Sequence, residues 1–189
     1  EYVKQLIDFD KKFIIIGNKN AITYKEIFPL IKENKIWLGY TPMSKDILFS
    51  VPAKLQKEIL ATSNAGSKYR IIDGNFFARS QAVWFTNLDV KKRHEELPLV
   101  FSYKDNPEKY PHYDNYDAIE VSKTATIPHD YEGVMGVPIT FLDKYNPDQF
   151  EILGCSYIYG DCGKHIDGTT WGCQIDGKDI YKRIFIRRR

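Results

Sequence analysis

Phe13-Ile14-Ile15-Ile16, four successive apolar residues closed by Gly17, is the segment that most restricts the fold. A run this short bounded by glycine reads as a strand, and a strand apolar on both faces predicts the middle of a parallel sheet covered by helices. Before it, Val3, Leu6 and Ile7 lie on one helical stripe that Asp10-Lys11-Lys12 ends. After it, Thr23 and Glu26 have the spacing of a capping box, and Ile27, Leu30 and Ile31 give a second buried helical face. Pro29 lacks an N–H, so it predicts a kink or a delayed start for that helix. Ile36-Trp37-Leu38 and the stretch from Ile47 to Val51 read as further strands. Helix, strand, helix, strand is an α/β alternation.

From Lys68 the pattern changes. Tyr69 to Ile72, the turn residues Asp73-Gly74-Asn75, and Gln81 to Phe85 predict an antiparallel ribbon. Tyr103 to Asp117 is dense in Tyr, Pro, Asn and Asp, which favour turns. Strands predicted around Ala118 to Val121, Val137 to Leu142, Phe150 to Leu153 and Ile180 to Ile186 make the remainder β-rich. The expected division is an α/β part over 1–90 and a β-rich lobe over 91–189.

A formal net charge of +2 neither requires nor excludes nucleic acid, because 27 Lys and Arg can still gather on one face. No run of about 18 apolar residues and no basic-then-apolar leader pattern occurs, so no membrane partner is expected and the cytoplasm is. The odd set Cys155, Cys162 and Cys173 argues for reduced thiols rather than a disulfide framework. With His165 these cysteines could supply four zinc ligands, but they lack the close pair of a zinc knuckle, and ordinary buried or loop cysteines are the preferred reading. Glu33-Asn34-Lys35 matches half of a metal-dependent nuclease site, yet no Pro-Asp precedes it at a useful distance, and charges closing a helix are routinely solvated.

Three stretches carry a family resemblance. Ile15-Ile16-Gly17-Asn18-Lys19-Asn20-Ala21-Ile22-Thr23-Tyr24-Lys25-Glu26, Trp84-Phe85-Thr86-Asn87-Leu88 and Gly136-Val137-Pro138-Ile139-Thr140-Phe141-Leu142 resemble the EcoRI-type adenine-specific modification methylases. The likeness runs from the first helix to near Cys155. It implies the second half of a Rossmann-like methyltransferase sheet followed by the β-rich lobe, double-stranded DNA as partner, and S-adenosylmethionine as methyl donor to adenine N6. It also implies a target base extruded from the duplex, since a paired amino group is out of line with the donor. Family members use an Asn/Asp-Pro-Pro-aromatic tetrad, which this sequence lacks. Asn106-Pro107 and Asn146-Pro147 continue as turns, without a second proline or ring. The glycine-rich loop that approaches the cofactor is also missing. The chain opens at Glu1 inside a helical pattern, so the expectation is a fragment, inactive alone, whose missing N-terminal half holds the catalytic residues. A stand-alone DNA-binding or assembly module that needs a partner chain is the alternative.

Within that reading, Asn18, Lys19 and Asn20 sit at the expected carboxyl end of a strand, where open α/β sheets bind ligands, facing a flipped base or a phosphate; a solvated loop is the plain alternative. Trp84 and Phe85 alternate along a strand, so one ring is free to stack on a base while the other enters the core, and Asn87 follows as a further substrate-binding candidate. Lys91, Lys92, Arg93 and His94 are candidates for DNA phosphates, or a solvated turn.

Overall fold

A computed structural model of the chain describes residues 2–62, 68–158 and 172–189. The amphipathic opening forms α1 (Tyr2–Asp8), with Val3, Leu6 and Ile7 packed against the core. The apolar run becomes β1 (Ile14–Asn18), and β2 (Trp37–Leu38) follows after a short helix, α2 (Phe28–Lys32). β3 (Ile47–Ser50), α3 (Ala53–Thr62), β4 (Tyr69–Ile72), β5 (Asn75–Ser80) and β6 (Ala82–Thr86) complete the first part. The result is mixed α/β with small sheets.

The first sheet has the order β1-β6-β2. β6 runs antiparallel to both neighbours, with Ile14 opposite Thr86 and Trp37 also opposite Thr86, so β1 and β2 are parallel to each other across it. Because side chains alternate, Val83 and Phe85 enter the core while Trp84 points the other way. Ile14 and Ile16, each 58% exposed, share that outer face with Trp84. The expected mid-sheet position for β1 is therefore corrected. Among the described residues it is an edge strand with one covered face, because its only described sheet neighbour is β6.

Two further expectations change. Thr23 does not cap a helix; it closes a one-turn 3-10 segment (Lys19–Thr23), its hydroxyl donating to Asn20 O at 2.8 Å. The α-helix starts only at Phe28, with Pro29 in its first turn, where the missing N–H costs nothing. Nor do residues 81–85 pair with Tyr69–Ile72. β4 turns at Asp73-Gly74, both at positive φ (49° and 75°), and pairs with β5 in the sheet β3-β5-β4. The two-residue turn takes Asn75 directly into the returning strand, which frees β6 for the core sheet. α3 is not among the elements expected from periodicity, although Pro52 ahead of Leu55 and Ile59 at helical spacing is a legible signal.

The lobe is built on the sheet β7-β8-β12-β9, from β7 (Ile119–Glu120), β8 (Met135–Pro138), β9 (Phe150–Cys155) and β12 (Arg183–Arg188). A small hairpin, β10 (Gln174–Ile175) with β11 (Lys178–Asp179), precedes β12. Phe141, Phe150, Ile184 and Ile186 are completely buried, and they belong to one hydrophobic cluster with Phe13, Phe28, Val83 and Phe85 from the first part. Among the described residues no helix is long and apolar enough to cross a membrane.

Candidate functional site

β1 ends at Asn18, whose side-chain oxygen accepts the N–H of Asn20 at 2.8 Å, while Lys19 N donates to Gln81 O at 2.8 Å. These bonds turn the chain into the 3-10 segment and set Lys19, Asn20 and Thr23 on the wall of a cavity of about 230 Å³. Ile139 and Thr140, which follow β8, line the same cavity together with Tyr181 and Lys182, which precede β12; Ile22 and Met43 complete the lining. Met43 is held by Asp143, whose carboxylate accepts its N–H at 2.8 and 3.0 Å. Burial pushes the Asp143 carboxyl pKa up even so.

Beside this cavity lies a concentration of charge. Asp46 meets Arg79 Nε at 2.5 Å, Arg70 Nη2 at 3.1 Å and Lys19 Nζ at 3.7 Å. The hydrogen bond from Arg79, aided by the charges of Arg79, Lys19 and Arg70, holds the Asp46 pKa below the usual carboxylate range against the opposing effect of burial. Asp46 is thus ionised at neutral pH.

The other candidates separate. Phe85 is in the core and Trp84 is partly exposed on the outer sheet face. Asn87 is committed to the backbone of the segment leading into β1, accepting from Phe13 N and donating to Lys11 O, each at 2.9 Å. The run at 91–94 forms a 3-10 turn with three of its four side chains engaged within the chain. Lys92 donates to Gly39 O at 3.2 Å. Arg93 stacks 3.5 Å over the Trp37 ring and donates to Asn34 Oδ1, which also accepts from the Tyr145 hydroxyl. His94 lies between Asp89 and Asp148, and Lys91 is exposed. Asn34 takes a positive φ of 56° at the end of α2, and Lys35 pairs with Glu33 at 2.7 Å, so the Glu-x-Lys match is a helix terminus.

Cys155 and Cys173 are buried thiols, while Cys162 and His165 lie outside the described residues. Among the described residues no three His, Cys, Asp or Glu side chains are grouped to hold a metal. Sequence reasoning missed Met43, Asp46, Arg70, Arg79, Asp143, Tyr181 and Lys182. Only the stretch Gly136 to Leu142 pointed toward this wall; the others are brought together by the fold and share no local signal.

A cavity with a cationic border at the carboxyl end of a strand is a ligand-binding arrangement of α/β proteins. The sequence matches the family described as adenine-specific methyltransferase EcoRI over residues 1–189, and the chain belongs to that family. It is 48% identical to the Type II methyltransferase M.EcoRI of Escherichia coli, over all of this chain and 54% of that protein. It is 38% identical to the Type II methyltransferase M.MpnI of Mycoplasma pneumoniae, over all of this chain and 60% of that protein, and 41% identical to M.MgeORF184P of Mycoplasma genitalium, over 82% of this chain and 47% of that protein. The chain thus spans about half the length of the curated relatives it matches. No solved structure matches it.

Proposed function

We propose that this chain is the second half of a DNA methyltransferase of a restriction-modification system, which transfers the methyl group of S-adenosylmethionine to N6 of adenine in double-stranded DNA. Residues 1–90 supply the end of a Rossmann-like sheet, and residues 91–189 a lobe that helps bind DNA. The observation that carries this reading is convergence: two stretches of the family resemblance, 15–26 and 136–142, are far apart in sequence yet line one cavity at the end of β1. The open edge of β1, with Ile14 and Ile16 exposed beside it, suits a missing N-terminal half that continues the sheet.

The residues present do not fit the cofactor. The sequence has no glycine-rich loop after a strand to let backbone approach it, and the cavity of about 230 Å³ is smaller than the roughly 300–1,000 Å³ usual for such ligands. The cavity suits a base or a backbone phosphate instead. In this proposal Lys19 and Asn20 face the DNA strand, and the fragment alone is inactive because it lacks the Pro-Pro-aromatic tetrad. Of the aromatic pair, Trp84 is the ring with an open face for stacking.

The test is to express the complete reading frame and the 189-residue chain separately. Each is incubated with methyl-labelled S-adenosylmethionine and unmethylated duplex DNA, and the digested nucleosides are analysed. Label in N6-methyladenine from the complete protein alone is the expected result. Label in cytosine, or activity of the short chain, overturns the proposal, and DNA binding without methyl transfer by the complete protein favours a binding module.

A further inference from the structure

We propose that Asp46 organises a phosphodiester-binding site, in which Lys19 and Arg70, with Lys182 from the same cavity lining, hold a backbone phosphate of the DNA strand that carries the target base. This rests on the DNA methyltransferase reading and goes beyond it by naming the backbone contacts. Three cations surround one carboxylate, a surplus of two positive charges (3 − 1) around Asp46. Arg79, with a side chain 18% exposed, makes the tight pair at 2.5 Å and satisfies the carboxylate, which is itself 9% exposed. Arg70 and Lys19 lie further out, and a lone Asp–Arg pair would have no structural need of them.

Lys19 is the most telling member. Its ammonium has three donors, and its contacts, to Met43 O at 3.5 Å and Asp46 at 3.7 Å, are both long. A lysine whose side chain is three-quarters covered, whose ammonium is loosely bonded and which lines a cavity is poised to donate to an incoming anion. Arg70 uses one guanidinium nitrogen on Asp46 and is half exposed. Lys182, which lines the same cavity, lies 5.6 Å from the Tyr157 ring, and no described carboxylate is within ion-pair distance of it. Asp46 thus acts as a positioning residue that fixes Lys19 and Arg70 without cancelling them. Apolar and aromatic groups on the same cavity, Ile22, Ile139 and the exposed Tyr181, suit the sugar and base attached to a phosphate better than a free inorganic anion. By contrast Arg93 and His94, the cations a sequence reading selects for this task, are occupied by Trp37, Asn34, Asp89 and Asp148.

The experiment uses the enzyme expressed from its complete reading frame. Its Kd for a duplex containing the methylated sequence is measured across a KCl series, for wild type, Arg70→Gln and Lys182→Gln. Each variant should reduce the slope of log Kd against log salt, and a variant that combines both substitutions should reduce it by up to roughly 0.9, the share of one phosphate. Both side chains lie at the surface, and unchanged circular dichroism and melting confirm folding. Uncharged methylphosphonate links are then placed one at a time along the target strand. At one position the link should weaken wild type more than it weakens Lys182→Gln. Unchanged slopes in both variants, or independent effects of variant and link at every position, overturn the site. Absence of N6-methyladenine with wild type overturns the methyltransferase reading instead, so the two failures are distinguishable.

Discussion

Trp84 and Phe85 are adjacent in sequence and opposite in fate, because strand alternation sends one ring outward and the other into the core. Phe85→Ala should destabilise the chain by about 3–5 kcal/mol, the cost of losing a buried aromatic ring. Trp84→Ala should cost no more than about 1 kcal/mol, the scale of a cross-strand pair, as measured by denaturant unfolding. In the complete enzyme Trp84→Ala should slow methylation of a paired adenine more than that of a mismatched one, which costs less to extrude. Equal effects on both substrates would count against stacking. His94 gives a second prediction. Nε2 lies 2.7 Å from Asp89 and Nδ1 3.0 Å from Asp148, and carboxylates only accept, so both bonds need the doubly protonated ring. The hydrogen bonds that His94 donates to Asp148 and Asp89 accordingly raise its pKa. Its stabilising effect is complete below the unfolded value and is lost as pH rises through the folded one. Between about pH 6 and pH 9 the melting temperature of wild type should fall more than that of His94→Gln. Parallel curves would show that the bridge contributes nothing.

Among the elements, β7 and β12 are tied to each other and to the segment before β7 by a buried polar triad. Arg183 reaches Glu120 with contacts of 2.6 and 3.0 Å, and the Tyr113 hydroxyl donates to the same carboxylate. Burial pushes the Tyr113 pKa far up, reinforced by the Glu120 charge, so the phenol stays protonated and able to donate. Gly136 on β8 has a packing reason as well, since a Cβ there would strike the Tyr113 ring. Glu120→Ala should cost about 3–5 kcal/mol in chemical unfolding, because it leaves a largely buried guanidinium unpaired. A change below 1 kcal/mol would mean that the guanidinium finds water. The elements also show where local signals mislead. Thr23 and Glu26 have capping-box spacing, but Asn18 starts a 3-10 turn five residues earlier and Pro29 fixes the helix start later. Both are local effects, and the choice between them was set by where β1 ends.

For the whole molecule, the proposed function makes a prediction about the 189 residues taken by themselves. Calorimetric titration of this chain with S-adenosylmethionine should detect no binding; micromolar affinity would refute the assignment of the cofactor loop to the other half. The sequence alone determined several features. The α/β alternation, the strand at 14–18, the turn at 73–74, the β-rich remainder and the family were all legible because each rests on local periodicity, turn chemistry or contiguous motifs. The position of β1 at a sheet edge, the partner of β4 and the fate of residues 91–94 were not legible. Strand pairing and charge pairing depend on residues distant in the chain, as Met43 with Asp143 and Arg93 with Trp37 show. The candidate site divides the same way. Lys19 and Asn20 follow from a strand end, whereas the pairing of Asp46 with Arg70 and the place of Lys182 in the cavity lining exist only because separate segments fold together.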